Sequence, residues 1–125
     1  MDDKFDKLKQ IEVENKVWII YIIIIVLSWY ANDKEKKYLL YNDEKSKKEY
    51  QNLLILIFTI LLIIYIYFTK TSYDDIKKLT IYDNEKKKTL INLSFIGSFL
   101  ILISGIIFLY IAIVDDEIQT EIAFN

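Results

Sequence analysis

Three stretches of the chain, Val17–Ala31, Leu53–Thr69 and Leu90–Val114, contain no Asp, Glu, Lys or Arg, although charged residues make up 27% of the 125 residues. Segregation of this kind constrains the fold more than any other feature here. A soluble domain interleaves apolar and polar residues at the helix or strand period, so that each element keeps a solvent face. These runs have no such face. At about 1.5 Å of rise per residue against ~30 Å of hydrocarbon, the 25-residue third run crosses a bilayer with tilt to spare, and the 17-residue second run nearly does.

The first run is the shortest, 15 residues or about 22 Å as a helix. Trp18 and the Trp29–Tyr30 pair bracket it with side chains that favour the membrane–water interface, and Lys16 can extend outward from its lower edge. Its branched aliphatic residues favour insertion, and no amphipathic soluble domain is present for it to be the core of. It reads as a span. The mixed-charge leader MDDKFDKLKQIEVENK and a Trp where a cleavage site wants a small residue argue for an uncleaved signal anchor over a signal peptide.

The expected fold is therefore all-α: one integral membrane domain over residues 1–125 with three transmembrane helices. Its parts are a charged N-terminal tail (1–16), span 1 (17–31), a polar loop (32–52), span 2 (53–69), a polar loop (70–89), span 3 (90–114) and an acidic C-terminal tail (115–125). Ser46–Glu49 reads as a capping box opening the second helix, and Asp83 or Asn84 as the N-cap of a third helix of about thirty residues. A short interfacial helix is expected from Ser72, with Tyr73, Ile76 and Leu79 on one face. YNDEKSKK at Tyr41 and YDNEKKKT at Tyr82 look alike and each precedes a span, which reads as shared capping chemistry in a biased composition rather than as an inverted repeat.

Orientation follows from lysine placement. The N-terminal tail and second loop hold ten lysines against six in the first loop and none in the C-terminal tail. The positive-inside tendency then puts the N-terminus in the cytoplasm and the C-terminus outside, as a multi-pass protein of the cell membrane.

Chemistry is sparse. With no His and no Cys, catalysis would fall to Ser or to carboxylates, and no carboxylate or Lys lies within any run to activate a serine. No enzyme activity and no cofactor is expected. Ion-coupled transport is disfavoured for the same reason, since such proteins carry ionisable groups at mid-membrane. Asp74–Asp75, and Asp115, Asp116, Glu117 with Glu121, lack the glycine-bearing loop of a calcium site and read as solvated helix ends. The net charge of −2 gives no reason to expect a nucleic-acid partner. Lys47–Lys48 and Lys86–Lys88 suit contact with anionic head groups, and Tyr21, Tyr65, Tyr67 and Tyr110 suit an interfacial belt better than a ligand path.

One pattern is specific. Span 3 alone carries Ser94, Gly97, Ser98, Ser104, Gly105 and Ala112. At ~100° per residue all six fall within an arc of about 120°, with Leu90, Ile101 and Phe108 among them. Apolar side chains gain little by leaving lipid for one another, so small residues mark where membrane helices pack closely. The third helix is thus the expected packing hub. Two occupants fit its groove: bulky residues of the first two helices, or the same face of another copy in a homo-oligomer.

These readings lead to a small non-catalytic integral membrane interaction protein, an accessory subunit or a protective partner of another membrane protein, with the lipid bilayer as its surroundings. The alternative is an oligomeric pore-forming or membrane-disrupting effector. In size and span number the chain is similar to the smaller phage holins, a likeness of architecture that carries no residues across.

Overall fold

The computed structural model describes residues 2–118; Gln119 and Glu121 of the acidic C-terminal tail lie outside them. The protein is all-helical, with α1 (Asp2–Tyr41), α2 (Glu44–Lys77) and α3 (Glu85–Val114) in chain order. Two of the three, α2 and α3, are long and apolar enough to cross a membrane. All three run well beyond the uncharged stretches inside them, because Lys, Glu and Gln propagate a helix as readily as Leu does, and the chain contains no Pro.

Two compact units divide the chain, the first running to Leu53 and the second from Leu54 onward, so that α2 passes through both. In the first unit α1 and the opening turns of α2 form an antiparallel helical hairpin. Its turn is two residues long. Asn42 takes a left-handed conformation (φ 51°) and donates its backbone N–H to the Tyr38 carbonyl at 2.8 Å, closing α1. Asn tolerates that conformation because its short polar side chain can bond locally.

Asp43 then caps α2. Its carboxylate accepts from the Lys45 amide at 3.2 Å and from the Ser46 hydroxyl at 2.8 Å. The Ser46 hydrogen bond, above all, holds the Asp43 carboxyl below the usual range. The expected capping box at Ser46–Glu49 is therefore displaced: α2 starts at Glu44, and Ser46 is a buried first-turn residue serving Asp43. The reason is the left-handed turn at Asn42, which brings the chain into position to restart a helix at once.

The two arms are pinned by Lys34 Nζ, 2.8 Å from a Glu49 carboxylate oxygen and 5.1 Å from the centre of the Tyr30 ring, and by Lys47 over the Tyr38 ring. Bonding to Lys34 keeps the Glu49 carboxyl low. Such half-buried surface pairs set register more than they stabilise. The packing of this unit rests on buried Ala31 and Tyr50, and along α1 the buried positions Val17, Ile24 and Ala31 recur every seven residues.

In the second unit α2 and α3 run antiparallel. Phe58 meets Phe108, Tyr65 meets Gly105, Ser72 meets Ser98 and Tyr73 meets Phe95, so positions rise on one helix as they fall on the other. The separate helix expected from Ser72 does not form; α2 continues to Lys77. Thr69 and Thr71 turn their hydroxyls onto the Tyr65 and Tyr67 carbonyls one turn back, at 2.8 and 3.0 Å, so these polar residues extend the helix instead of breaking it.

Asn84 is the N-cap of α3, its side chain accepting from the Lys87 amide at 2.7 Å. Asp83 beside it accepts from the Thr80 amide and pairs with Lys87 Nζ at 2.9 Å. The backbone bond from Thr80, with Lys87 next, keeps the Asp83 carboxyl low. The two similar segments found in the sequence are thus both cap sequences, with Asp43 and Asn84 in corresponding places and Glu44 and Glu85 in the first turns.

A prediction follows for the first turn. Asn42→Val, a β-branched residue forced into left-handed backbone, should destabilise the folded protein by about 1–2 kcal/mol. Asn42→Gly should be neutral or better. Thermal melts in detergent distinguish the two; equal losses would mean that the left-handed turn is not what closes α1.

Candidate functional site

The region of most interest is the face that α3 turns to α2. Residues Ile91, Phe95, Ser98, Leu102, Gly105, Leu109 and Ala112 are half-buried or buried, and they succeed one another at steps of four and three. On α2 the positions Ile55, Phe58, Leu62, Tyr65, Thr69, Ser72 and Ile76 follow at steps of three and four and are likewise covered. A seam repeating every seven residues keeps two helices in contact over several turns, the geometry of a left-handed helix pair.

The six small residues of α3 do not share one environment. Gly105 and Ala112 are buried and Ser98 is half-buried, and these three recur at intervals of seven along the seam. Ser94, Gly97 and Ser104 are exposed on the flank of the same helix.

Gly105 shows why the seam needs a small residue. A Cβ placed there would lie 2.9 Å from Cδ2 and 3.2 Å from Cε2 of Tyr65, with Leu62 Cδ1 at 3.6 Å. The aromatic ring therefore occupies the volume that any larger residue at 105 would claim. Among the described residues nothing comes within 4 Å of the equivalent point at Gly97.

About two turns toward the N-terminus of α3, the seam becomes polar. Ser72 Oγ and Ser98 Oγ lie 3.2 Å apart, and Thr69 Oγ1, while donating to the Tyr65 carbonyl, reaches the Ser98 carbonyl at 3.2 Å. Hydroxyls on both helices thereby find partners at the contact, as polar groups covered by packing generally do. Beyond them Tyr73, Phe95 and Phe99 form a ring cluster with centroids 5.8 and 6.0 Å apart, and Lys77 Nζ sits 4.6 Å from the centre of the Tyr73 ring.

The hydroxyls bond to one another and to helix carbonyls, and among the described residues no three His, Cys, Asp or Glu side chains converge to hold a metal ion. Asp74–Asp75 and Asp115–Glu117 remain local pairs and runs at helix ends. The geometry is that of a packing surface.

Sequence reasoning did not separate the inner small residues from the outer ones. A partial signal was present: Ser98, Gly105 and Ala112 repeat the interval of seven twice, whereas Gly97 and Ser104 share it once, and a wheel drawn at 100° per residue blurs that repeat into a wider arc. The seam partners Thr69, Ser72 and Tyr65 went unnoticed, Tyr65 because an aromatic was read as interfacial. On α1, Glu35 Oε2 is buried without a hydrogen-bond partner among the described residues, and nothing in its sequence context marks it.

No protein-family model matches the chain, and comparison with curated proteins and with solved structures likewise finds no match.

The two glycines should respond differently to the same substitution. Gly105→Leu overpacks the seam against Tyr65 and should cost about 1–3 kcal/mol of thermal stability in detergent. Gly97→Leu meets open space and should cost nothing in the isolated chain. Equal behaviour of the two variants would contradict the assignment of Gly105 to the seam.

Proposed function

We propose that the protein is a small, non-catalytic integral membrane protein that acts by lateral contact, as an accessory subunit or protective partner of another membrane protein. The observation that carries this reading is exposure. Only 11% of the most apolar stretch of α3, and 28% of that of α2, is buried in the protein. A helix in a soluble core hides its apolar surface, whereas here most of it needs an apolar solvent. The described side chains offer a packing seam and no reactive group, which favours contact over catalysis.

The reading extends to a third span in α1. Ile19, Ile22, Ile23, Ile25 and Val26 are all more than half exposed, and Trp18 and Trp29 project at either end of the same stretch. The aromatic pair at the interface offsets the shortness of the run. Three spans and the lysine distribution give a cytoplasmic N-terminus and an external C-terminus.

The exposed flank of Ser94, Gly97 and Ser104 keeps a second reading in view. Open space at Gly97 suits close approach by another helix, which would fit an oligomeric pore-forming or membrane-disrupting effector.

Two measurements test these readings. Membranes from expressing cells, washed with alkaline carbonate, should retain all of the protein in the pellet; release into the supernatant would end the membrane reading. Chemical cross-linking of the wild type and Gly97→Leu, with membrane potential followed during induction, separates the two roles. The accessory role predicts no depolarisation and the same cross-linking pattern for both. Depolarisation by the wild type that Gly97→Leu abolishes, together with its oligomer, would favour the pore-former.

A further inference from the structure

The antiparallel register of α2 and α3 bears on where a bilayer would meet them. The apolar run of α3 begins at Leu90, and that of α2 ends at Thr69. These two limits are not at the same level. Ser72 faces Ser98 and Tyr73 faces Phe95, so the stretch Leu90–Ser94 of α3 runs beside the end of α2, past Tyr73, where Asp74, Asp75 and Lys77 lie. A bilayer that covered α3 from Leu90 would take those three charges into hydrocarbon with it. Charges at that depth are rare because they are expensive, and they normally face a partner or a water-filled cavity. Among the described residues, the partner shown for Lys77 is the Tyr73 ring.

We infer that the bilayer boundary on this hairpin crosses at the ring cluster Tyr73–Phe95–Phe99, so that its embedded parts are Leu54–Tyr73 on α2 and Phe95–Val114 on α3. The inference rests on the membrane reading above and shifts the span limits expected from the sequence. Each segment is 20 residues long, the length that crosses about 30 Å of hydrocarbon. The same register carries Leu54 to the level of Val114, where Asp115, Asp116 and Glu117 follow at once. The two helices then match each other and the bilayer without tilt or thinning.

Several polar groups inside the new limits have partners. Thr69 and Thr71 bond to carbonyls of their own helix, and Ser72 meets Ser98. Lys70, exposed and one turn inside the boundary, can lay its aliphatic stem along the helix and reach the head groups. Tyr73, with Lys77 over its ring, has the amphipathic character of a residue at the membrane–water interface. Leu90 and Leu93, each 55% exposed, project into the aqueous side of the head-group layer.

The test uses the full chain in phosphatidylcholine vesicles. Because the protein has no Cys, single-cysteine variants Leu90→Cys, Leu93→Cys, Ile96→Cys and Leu100→Cys each accept one nitroxide label, and all four positions are exposed. Collision with a water-soluble nickel complex, relative to oxygen, reports depth. The expected result is a several-fold fall in that ratio between the label at 93 and the label at 96. If labels at 90 and 93 are as shielded from nickel as those at 96 and 100, the boundary lies at Leu90 and the inference is overturned while the membrane reading survives. If all four are freely accessible to nickel, the membrane reading itself fails and takes the inference with it.

Discussion

The ring of Tyr65 lies where a side chain on residue 105 would have to be. This one contact shows what holds α3 to α2. On the membrane reading proposed above, burying an isoleucine gains little over leaving it in lipid, so the pair is held by the area over which backbones and rings can approach. A glycine opposite a large flat ring allows that approach. Ser98 and Ala112, one heptad to either side, keep the seam narrow along α3. A residue of ordinary size at any of these points would hold the helices apart at its neighbours as well.

The polar end of the seam follows from the same closeness. At the separation that Gly105 permits, the Ser72 and Ser98 hydroxyls fall within bonding distance and Thr69 reaches a carbonyl on the opposite helix. These bonds specify register where packing of aliphatic side chains alone would tolerate a slip. They also let α2 continue as a helix through Thr69, Thr71 and Ser72 into a charged stretch, which fixes where the apolar surfaces of the two helices end relative to each other.

Much of the architecture was legible in the residues. Uncharged runs announced α2 and α3, and the Asp83–Asn84 pair announced the start of α3. What escaped the reading shares a cause: each feature depends on a partner that a single run does not contain. The start of α2 depends on the backbone sign at Asn42, which moves the cap from Ser46 to Asp43. The continuation past Ser72 depends on hydroxyls bonding backward to carbonyls. The division of the six small residues depends on which side of α3 faces α2, and only the twofold repeat of the interval at Ser98, Gly105 and Ala112 carried a trace of it.

The claim on which the rest turns is that α3 packs on α2 of the same chain in this register. A double variant, Ser72→Cys with Ser98→Cys, tests it directly, because the two hydroxyl oxygens are 3.2 Å apart and the chain has no other cysteine. In native membranes under mild oxidation, the account predicts rapid formation of a disulfide within one chain, seen as a monomer of altered mobility that reductant reverses. Absence of any disulfide, or disulfides that only join two chains into dimers, would contradict it.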